Sequence, residues 1–349
     1  MKAVVFGGDR TVEFVDFPDP TPGPGEVVLE MKASGMCGTD LKFYRLSRSD
    51  ALKMVGLGTD AGAVIAGHEP CGVVAAVGPG VTPREAKVGD RVMVHHYAGC
   101  RVCPNCRTGW TQLCDNELIV YGYNGHGAHA PYMKVPAYSL VPLPDSLSFA
   151  AGAAISCGTG TAYGGLLRLD ISARDTIAVV GQGPVGLSAT ALASAMGARV
   201  IALDIEDERL ARAREFGASE TINPATTDPV AAIKALTGGH GADLTMDSAG
   251  TPDSRLVAVR GTKKWGKACL IGEGGTLTVD VSPDILRKQL TIIGSWTFST
   301  VGQGECARFC AEHNVPVDAL FTRDWRLSEA TEAYQWFDRQ SSGKGVFLF

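Results

Sequence analysis

Four cysteines in fifteen residues, Cys100, Cys103, Cys106 and Cys114, stand in the segment AGCRVCPNCRTGWTQLC, in a chain with ten cysteines in all. Such a cluster can close disulfides, run thiol redox chemistry or hold a metal. The opening MKAVVFGGDR is strand-like and has no basic stretch followed by an apolar one, so no secretory signal is expected. No apolar run is long enough to span a bilayer, and a cytoplasmic location is the expectation. Reducing conditions there disfavour disulfides. A redox pair needs C-x-x-C at a helix start in a thioredoxin-like setting. Here the spacing is C-x2-C-x2-C-x7-C, in a loop marked by Pro104 and Gly109. Short gaps let successive thiolates turn onto one ion, and four thiolates with no open position describe a structural, tetrahedral zinc site. An iron–sulfur cluster is the competing metal reading, although Asp115 replaces the proline that commonly follows the last cysteine.

A second constellation suits a nucleotide. The apolar run TIAVV leads into Gly181-Gln182-Gly183-Pro184-Val185-Gly186, a small-residue helix follows, and RVIALD ends in Asp204, eighteen residues after Gly186. In this setting Gly181 permits a tight turn, Gly183 lets a pyrophosphate approach the backbone, and Gly186 allows close helix–strand packing. The helix N-terminus offers free N–H groups to the phosphates. Asp204 can accept from the adenosine ribose hydroxyls. A 2′-phosphate would meet Asp204, Glu206 and Asp207, so NAD is expected rather than NADP; Arg209 completes the cofactor-binding set. The bland alternative is a glycine-rich turn and a helix-capping aspartate.

Other polar groups are ambiguous one by one. Cys37, Thr39 and Asp40 lie in MCGTD, His68 and Glu69 in GHEPCGVVAAVG, and Cys157 in ISCGTGTAYG. Each could be a buried packing residue. Cys306 and Cys310 share a helix face without a third ligand, and with Cys71 and Cys269 they read as core. Lys344 could approach a pyrophosphate, but reads better as solvated.

The elements that must position these residues fall into two textures. Valine-rich strands such as EVVLEMKASG and CGVVAAVG, punctuated by turns, fill the first part. From about residue 160, strands alternate with helices, the signature of βαβ units and a parallel sheet. The last fifty residues read as two helices and a final strand. With 349 residues, two domains are the better expectation. A formal charge of −5 without a basic run supports neither nucleic acid nor an anionic membrane as partner.

Taken together and in order, these motifs resemble the zinc-dependent medium-chain alcohol dehydrogenases. The match runs over essentially the whole chain. It comprises the Cys-Gly-Thr-Asp block, the G-H-E-x-x-G-x-V-x-x-V-G block from Gly67 to Gly78, GDRV at Gly89, the cysteine lobe, SCGTGTAYG and the dinucleotide loop. The resemblance implies an α/β fold. A GroES-like β-rich catalytic domain (1–158 and 297–349, with the zinc lobe at 98–116) joins a Rossmann doubly wound parallel-sheet domain (159–296) that binds NAD. It implies two zinc ions per chain, one structural and one catalytic. The catalytic ion would be held by Cys37, His68 and Cys157, with Glu69 behind it or swapping in as a ligand. Asp40 would orient the histidine, and Thr39 would hydrogen-bond the substrate hydroxyl and pass its proton outward. Such a zinc lowers the pKa of an alcohol so that hydride can leave its carbon. The expected substrate is a secondary or cyclic alcohol or its carbonyl partner, with a polyol or amino alcohol as the alternative and a non-catalytic dinucleotide-binding relative less favoured. A homo-oligomer is expected, tetramer before dimer.

The chain departs from the family at three points. Lys42 stands where some relatives have a relay histidine. Cys157 stands where many polyol enzymes have a carboxylate. The segment RLSRSDALKMVGLGTDAGAVIA lengthens the gap between Cys37 and His68, and should overhang the substrate mouth. His95 or His96, but by strand alternation not both, should face the pocket. Trp296 and Phe43 or Tyr44 are candidate walls, with core packing the alternative.

Overall fold

The computed structural model describes residues 1–57, 62–339 and 343–349. The valine- and isoleucine-rich runs of the second half form a six-stranded parallel sheet from Thr176–Val180, Arg199–Leu203, Glu220–Ile222, Ala242–Asp247, Thr262–Leu270 and Thr291–Gly294. In chain order these strands lie side by side as 3-2-1-4-5-6. Central strands such as Ile177–Val180 are buried on both faces, which explains their continuous apolar runs. The order reverses between the first strand and the fourth, and the crevice at their carboxyl ends is where open α/β sheets bind ligands.

The first half builds a mostly antiparallel seven-stranded sheet around Glu26–Gly35, which pairs with Glu69–Val77, with Tyr132–Pro136 and with the C-terminal strand Lys344–Leu348. The tail holds one more strand than the sequence suggests. Phe321–Trp325 pairs in parallel with Lys344–Leu348 at the sheet edge. Three of its five residues are exposed, so it carries no apolar alternation to announce it.

One apolar cluster joins the sheets. Cys71 and Met93 of the antiparallel sheet share it with Val179 and Leu192 of the parallel unit, and with Cys306 and Cys310 of the helix Thr300–Glu312. The helices Phe149–Ala154 and Gly160–Leu169 run through this junction, linked by a π-turn over Ile155–Thr159. A Cβ on Gly152 would lie 2.4 Å from Cys71 Sγ, so close helix–sheet packing here depends on glycine.

Candidate active site

The lobe is a short hairpin, Tyr97–Gly99 against Leu118–Val120, whose long connection carries the four cysteines. Their sulfurs all lie within 4.8 Å of one another. Backbone N–H groups are aimed at sulfur: Cys100 donates to Cys114 Sγ at 3.3 Å and Cys103 to Cys100 Sγ at 3.4 Å. The amide of Asn116 adds a bond to Cys100 Sγ at 3.0 Å. These donors favour thiolate, and the N–H groups of Cys103 and Val102 bring Cys100 down to about 6. A Cβ on Gly99 would come within 2.6 Å of Cys106 Sγ, so the cradle is sized to the sulfurs. Four convergent thiols with N–H donors behind them suit a tetrahedral ion with no open position.

The second cluster draws on three distant segments. Cys37 follows the strand Glu26–Gly35. His68 precedes the strand Glu69–Val77, after Gly67, whose φ of +88° suits glycine and whose added Cβ would lie 2.3 Å from His129 Nδ1. Cys157 sits in the π-turn, the kind of irregular turn that often marks function. Cys157 Sγ is 3.9 Å from Cys37 Sγ and 3.4 Å from His68 Nε2. One ligand atom from each of these residues and from Glu69 fits within 4.8 Å. Asp40, wholly buried, accepts from His68 Nδ1 at 2.8 Å through one oxygen and from the Cys37 N–H at 2.8 Å through the other. This leaves His68 Nε2 toward the sulfurs. Hydrogen bonding from Cys157 pulls the Cys37 thiol well down, while the same contact and burial push Cys157 up. Burial opposes charge on His68, but Asp40 and Cys37 outweigh it and its pKa rises.

Behind Asp40 runs a hydrogen-bonded chain that the sequence does not announce. Ser34 Oγ meets His129 Nδ1 at 2.8 Å, His129 Nε2 meets the Tyr334 hydroxyl at 2.7 Å, and that hydroxyl donates to Asp40 Oδ2 at 3.5 Å. Tyr334 belongs to the helix Ala330–Arg339, so the far end of the chain helps to hold His68.

Lys344 corrects the sequence reading. It is not solvated but 2% exposed, and its Nζ donates to Met36 O at 2.8 Å and to Glu69 Oε1 at 2.7 Å. Glu69 Oε2 is also 2.7 Å away, yet lacks hydrogen-bond geometry to any described residue. Burial pushes the Glu69 carboxyl up to about 8, with Lys344 as the chief opposing influence.

The nucleotide loop follows its sequence closely. Gly181 takes φ +93°, and Gly183 precedes the helix Pro184–Ala195, with Pro184 in its first turn. A Cβ on Gly186 would sit 1.8 Å from Gly181 O, whereas one on Gly183 would meet no described atom within 4 Å. Asp204 Oδ2 accepts from the Gln182 N–H at 2.6 Å and Oδ1 from the Glu206 N–H at 3.0 Å, with Arg209 Nη1 at 3.6 Å.

A cavity of about 380 Å³ connects the two halves of the site. Cys37, Thr39, His68, Glu69 and Cys157 line one side, and Gly183 to Val185 line the other. Lys42 and Trp296 are on its wall, and of the two histidines His96 faces it. His95 instead packs in the core beside Gln303, where burial lowers it to about 4. Phe43 and Tyr44 take the core alternative: Phe43 stacks on Tyr123 at 4.3 Å and Tyr44 packs near Tyr334. Tyr97 and Tyr123, which sequence reasoning missed, line the cavity, and the Tyr123 hydroxyl lies 2.8 Å from His68 Nδ1. Neither tyrosine stands in a recognisable motif. Of the long segment after Cys37, Val55 and Leu57 reach the cavity, while residues 58–61 lie outside the described residues. None of the helices formed by the described residues is long and apolar enough to cross a membrane.

Two family models match the chain: an alcohol dehydrogenase GroES-like domain over residues 23–145 and a zinc-binding dehydrogenase over residues 184–312. An uncharacterized zinc-type alcohol dehydrogenase-like protein, YphC of Escherichia coli K12, is 39% identical across 100% of this chain and 99% of its own. Sorbitol dehydrogenase of Bacillus subtilis 168 is 31% identical, covering 96% of this chain and 93% of its own. Among solved structures, the alcohol dehydrogenase TADH from Thermus sp. ATN1 superposes with a TM-score of 0.90 at 28% identity, covering 100% of this chain and 99% of that one.

Proposed function

The chain belongs to the zinc-dependent medium-chain alcohol dehydrogenases, and from that premise we propose an NAD-dependent oxidation of secondary or cyclic alcohols at Cys37, His68 and Cys157. The observation that carries this reading is the convergence of these three side chains, with Glu69, on the cavity whose opposite wall is the dinucleotide loop. Two thiolates and an imidazole are a soft donor set that suits zinc. When bound there, zinc supplies a Lewis acid that makes the substrate hydroxyl more acidic. A second zinc in the four-cysteine lobe would be structural.

The chain's own groups do the rest. Asp40 keeps the His68 hydrogen on Nδ1 and so presents Nε2 to the metal. Thr39, on the cavity wall, would accept a hydrogen bond from the substrate hydroxyl and relay its proton by releasing its own hydroxyl hydrogen to water, and Lys42 lines the same cavity. Apolar side chains such as Leu118 and Val120 would limit water around the reacting carbon, and a nicotinamide held at the Gly181–Gly186 loop would supply the hydride acceptor. Asp204 favours NAD, since its carboxylate accepts from ribose hydroxyls and repels a 2′-phosphate. The intact ligand set weighs against a non-catalytic relative.

The test is a nicotinamide-reduction screen of zinc-analysed protein against primary, secondary, cyclic, polyhydroxy and amino alcohols, with NAD and NADP in parallel. Turnover of secondary or cyclic substrates with NAD, and two zinc equivalents per chain, is expected. Protein that carries its zinc yet reduces neither dinucleotide with any alcohol would overturn the proposal.

A further inference from the structure

Most of the cavity wall near the metal ligands is aromatic or aliphatic: Tyr97, Leu118, Val120, Tyr123 and Trp296. His96 is different. It lines the cavity yet is only 1% exposed, so its position is set by the protein. Its Nδ1 lies 2.7 Å from the carbonyl oxygen of Ser156, its one hydrogen-bonding partner among the described residues. A carbonyl can only accept, so Nδ1 carries the hydrogen and Nε2 of the neutral ring presents a lone pair. Tyr97 at 4.1 Å and His68 at 5.2 Å, between ring centroids, hold the imidazole in place. Nε2 has no partner among the described residues, and a ligand that covers it without a donor would leave it desolvated and unpaired, so the pocket selects ligands that bring the missing donor.

We propose that His96 determines substrate specificity by accepting, at Nε2, a hydrogen bond from a hydroxyl or amino group on the carbon next to the one oxidised. The preferred substrates are then vicinal diols or vicinal amino alcohols rather than simple alkanols. The short His68–His96 separation calls for an adjacent donor, not a remote one. The inference rests on the dehydrogenase reading and leaves its reaction unchanged. The carbinol C–H leaves as hydride to the nicotinamide, the O–H proton leaves through Thr39, and a carbonyl forms beside the retained hydroxyl or amino group. His96 keeps its own hydrogen throughout.

The test compares cyclohexanol, vicinal cyclohexanediol and vicinal aminocyclohexanol, using the zinc-loaded protein with NAD. Phenylalanine at the site fills similar space but offers no acceptor. The native protein should favour one of the two donor-bearing substrates over cyclohexanol in kcat/KM by about tenfold or more, and which one identifies the donor. In His96→Phe that ratio should fall by roughly 10–10³-fold, and His96→Gln, which keeps an acceptor, should recover part of it. Calorimetry without nicotinamide, where no turnover occurs, should show the same selective loss of diol or amino-alcohol affinity. Turnover of cyclohexanol with no preference, or an equal loss on all three substrates, overturns the role of His96 and leaves the dehydrogenase standing. Absence of turnover with all three leaves the dehydrogenase reading to the wider alcohol screen, and calorimetry alone then decides for or against His96.

Discussion

Lys344 Nζ lies 2.7 Å from the Glu69 carboxylate although a whole strand separates them. Gly35 of that middle strand pairs with Glu69 on one side and Val346 on the other. A Cβ on Gly35 would fall 2.0 Å from Glu69 Oε2, so the missing side chain is what lets the carboxylate cross to the lysine. The pair ties the C-terminal strand to the floor of the site.

Removing one member of such a buried pair should be worse than removing the charge of both. Lys344→Met leaves the buried Glu69 without its cation beside Cys37 and His68 and should cost roughly 3–5 kcal/mol, whereas Lys344→Met with Glu69→Gln should recover a large part of that loss. Denaturant midpoints and zinc content of both variants check this. A single variant as stable as the native protein would mean the pair does not hold the strand.

The lobe offers a separate test. Cys103→Ala removes one of four convergent thiols, and Gly99→Ala keeps all four but drives a methyl against Cys106 and Cys114. Both should release one of the two zinc equivalents and lower thermal stability, because closed thiolate sites contribute directly to folding. Metal analysis and melting curves read the outcome. Unchanged zinc and stability in Cys103→Ala would refute a structural metal there.

What was legible in the sequence was whatever a short segment encodes alone. The C-x2-C spacing, the Gly181–Gly186 loop after an apolar strand, and the Cys37–Asp40 block each carry their geometry locally. Lys344 was not legible, because its partner appears only when three strands are laid side by side. His129 and Tyr334 are single residues in otherwise ordinary strand-like and helical text, and their link to Asp40 spans nearly the whole chain. The strand Phe321–Trp325 was missed since an edge strand needs no alternating apolar pattern.

His129 gives a pH dependence with a definite sign. Burial lowers it from the ordinary 6.5 to about 4, so between these values the unfolded chain binds the proton and the folded one does not. Stability from this residue is therefore full above about 6.5 and lost as pH falls to about 4. At about 1.4 kcal/mol per pH unit that amounts to roughly 3 kcal/mol. His129→Gln should be less stable than the native protein near neutrality, with the gap closing toward pH 4. Urea midpoints measured across that range would contradict the assignment if the gap stayed constant.

The two loop glycines should fail in different ways. Gly186→Ala forces a methyl into Gly181 O and should destabilise the fold and abolish dinucleotide binding together. Gly183→Ala meets open space, so the fold should survive while NAD affinity drops by about tenfold or more, where the pyrophosphate must approach the backbone. Melting temperature and fluorescence titration with NADH separate the two effects. Normal NADH affinity in Gly183→Ala would move the pyrophosphate elsewhere.

Cofactor choice should turn on Asp204. Its oxygens accept from the Gln182 and Glu206 N–H groups, and it sits 3.6 Å from Arg209, so donors surround the point where a ribose would arrive. In Asp204→Gly the two N–H groups lose their acceptor and the repelling charge disappears. Ile205 is 62% exposed, so Ile205→Arg adds a cation without disturbing the core. A charge-assisted hydrogen bond contributes about 1.5–3 kcal/mol, so two new ones to a 2′-phosphate come to roughly 3–6 kcal/mol. The double variant should therefore raise the NADP:NAD ratio of kcat/KM by roughly 10²–10⁴-fold. Steady-state kinetics with both dinucleotides decide it, and a native protein that already prefers NADP would show that Asp204 does not set the choice.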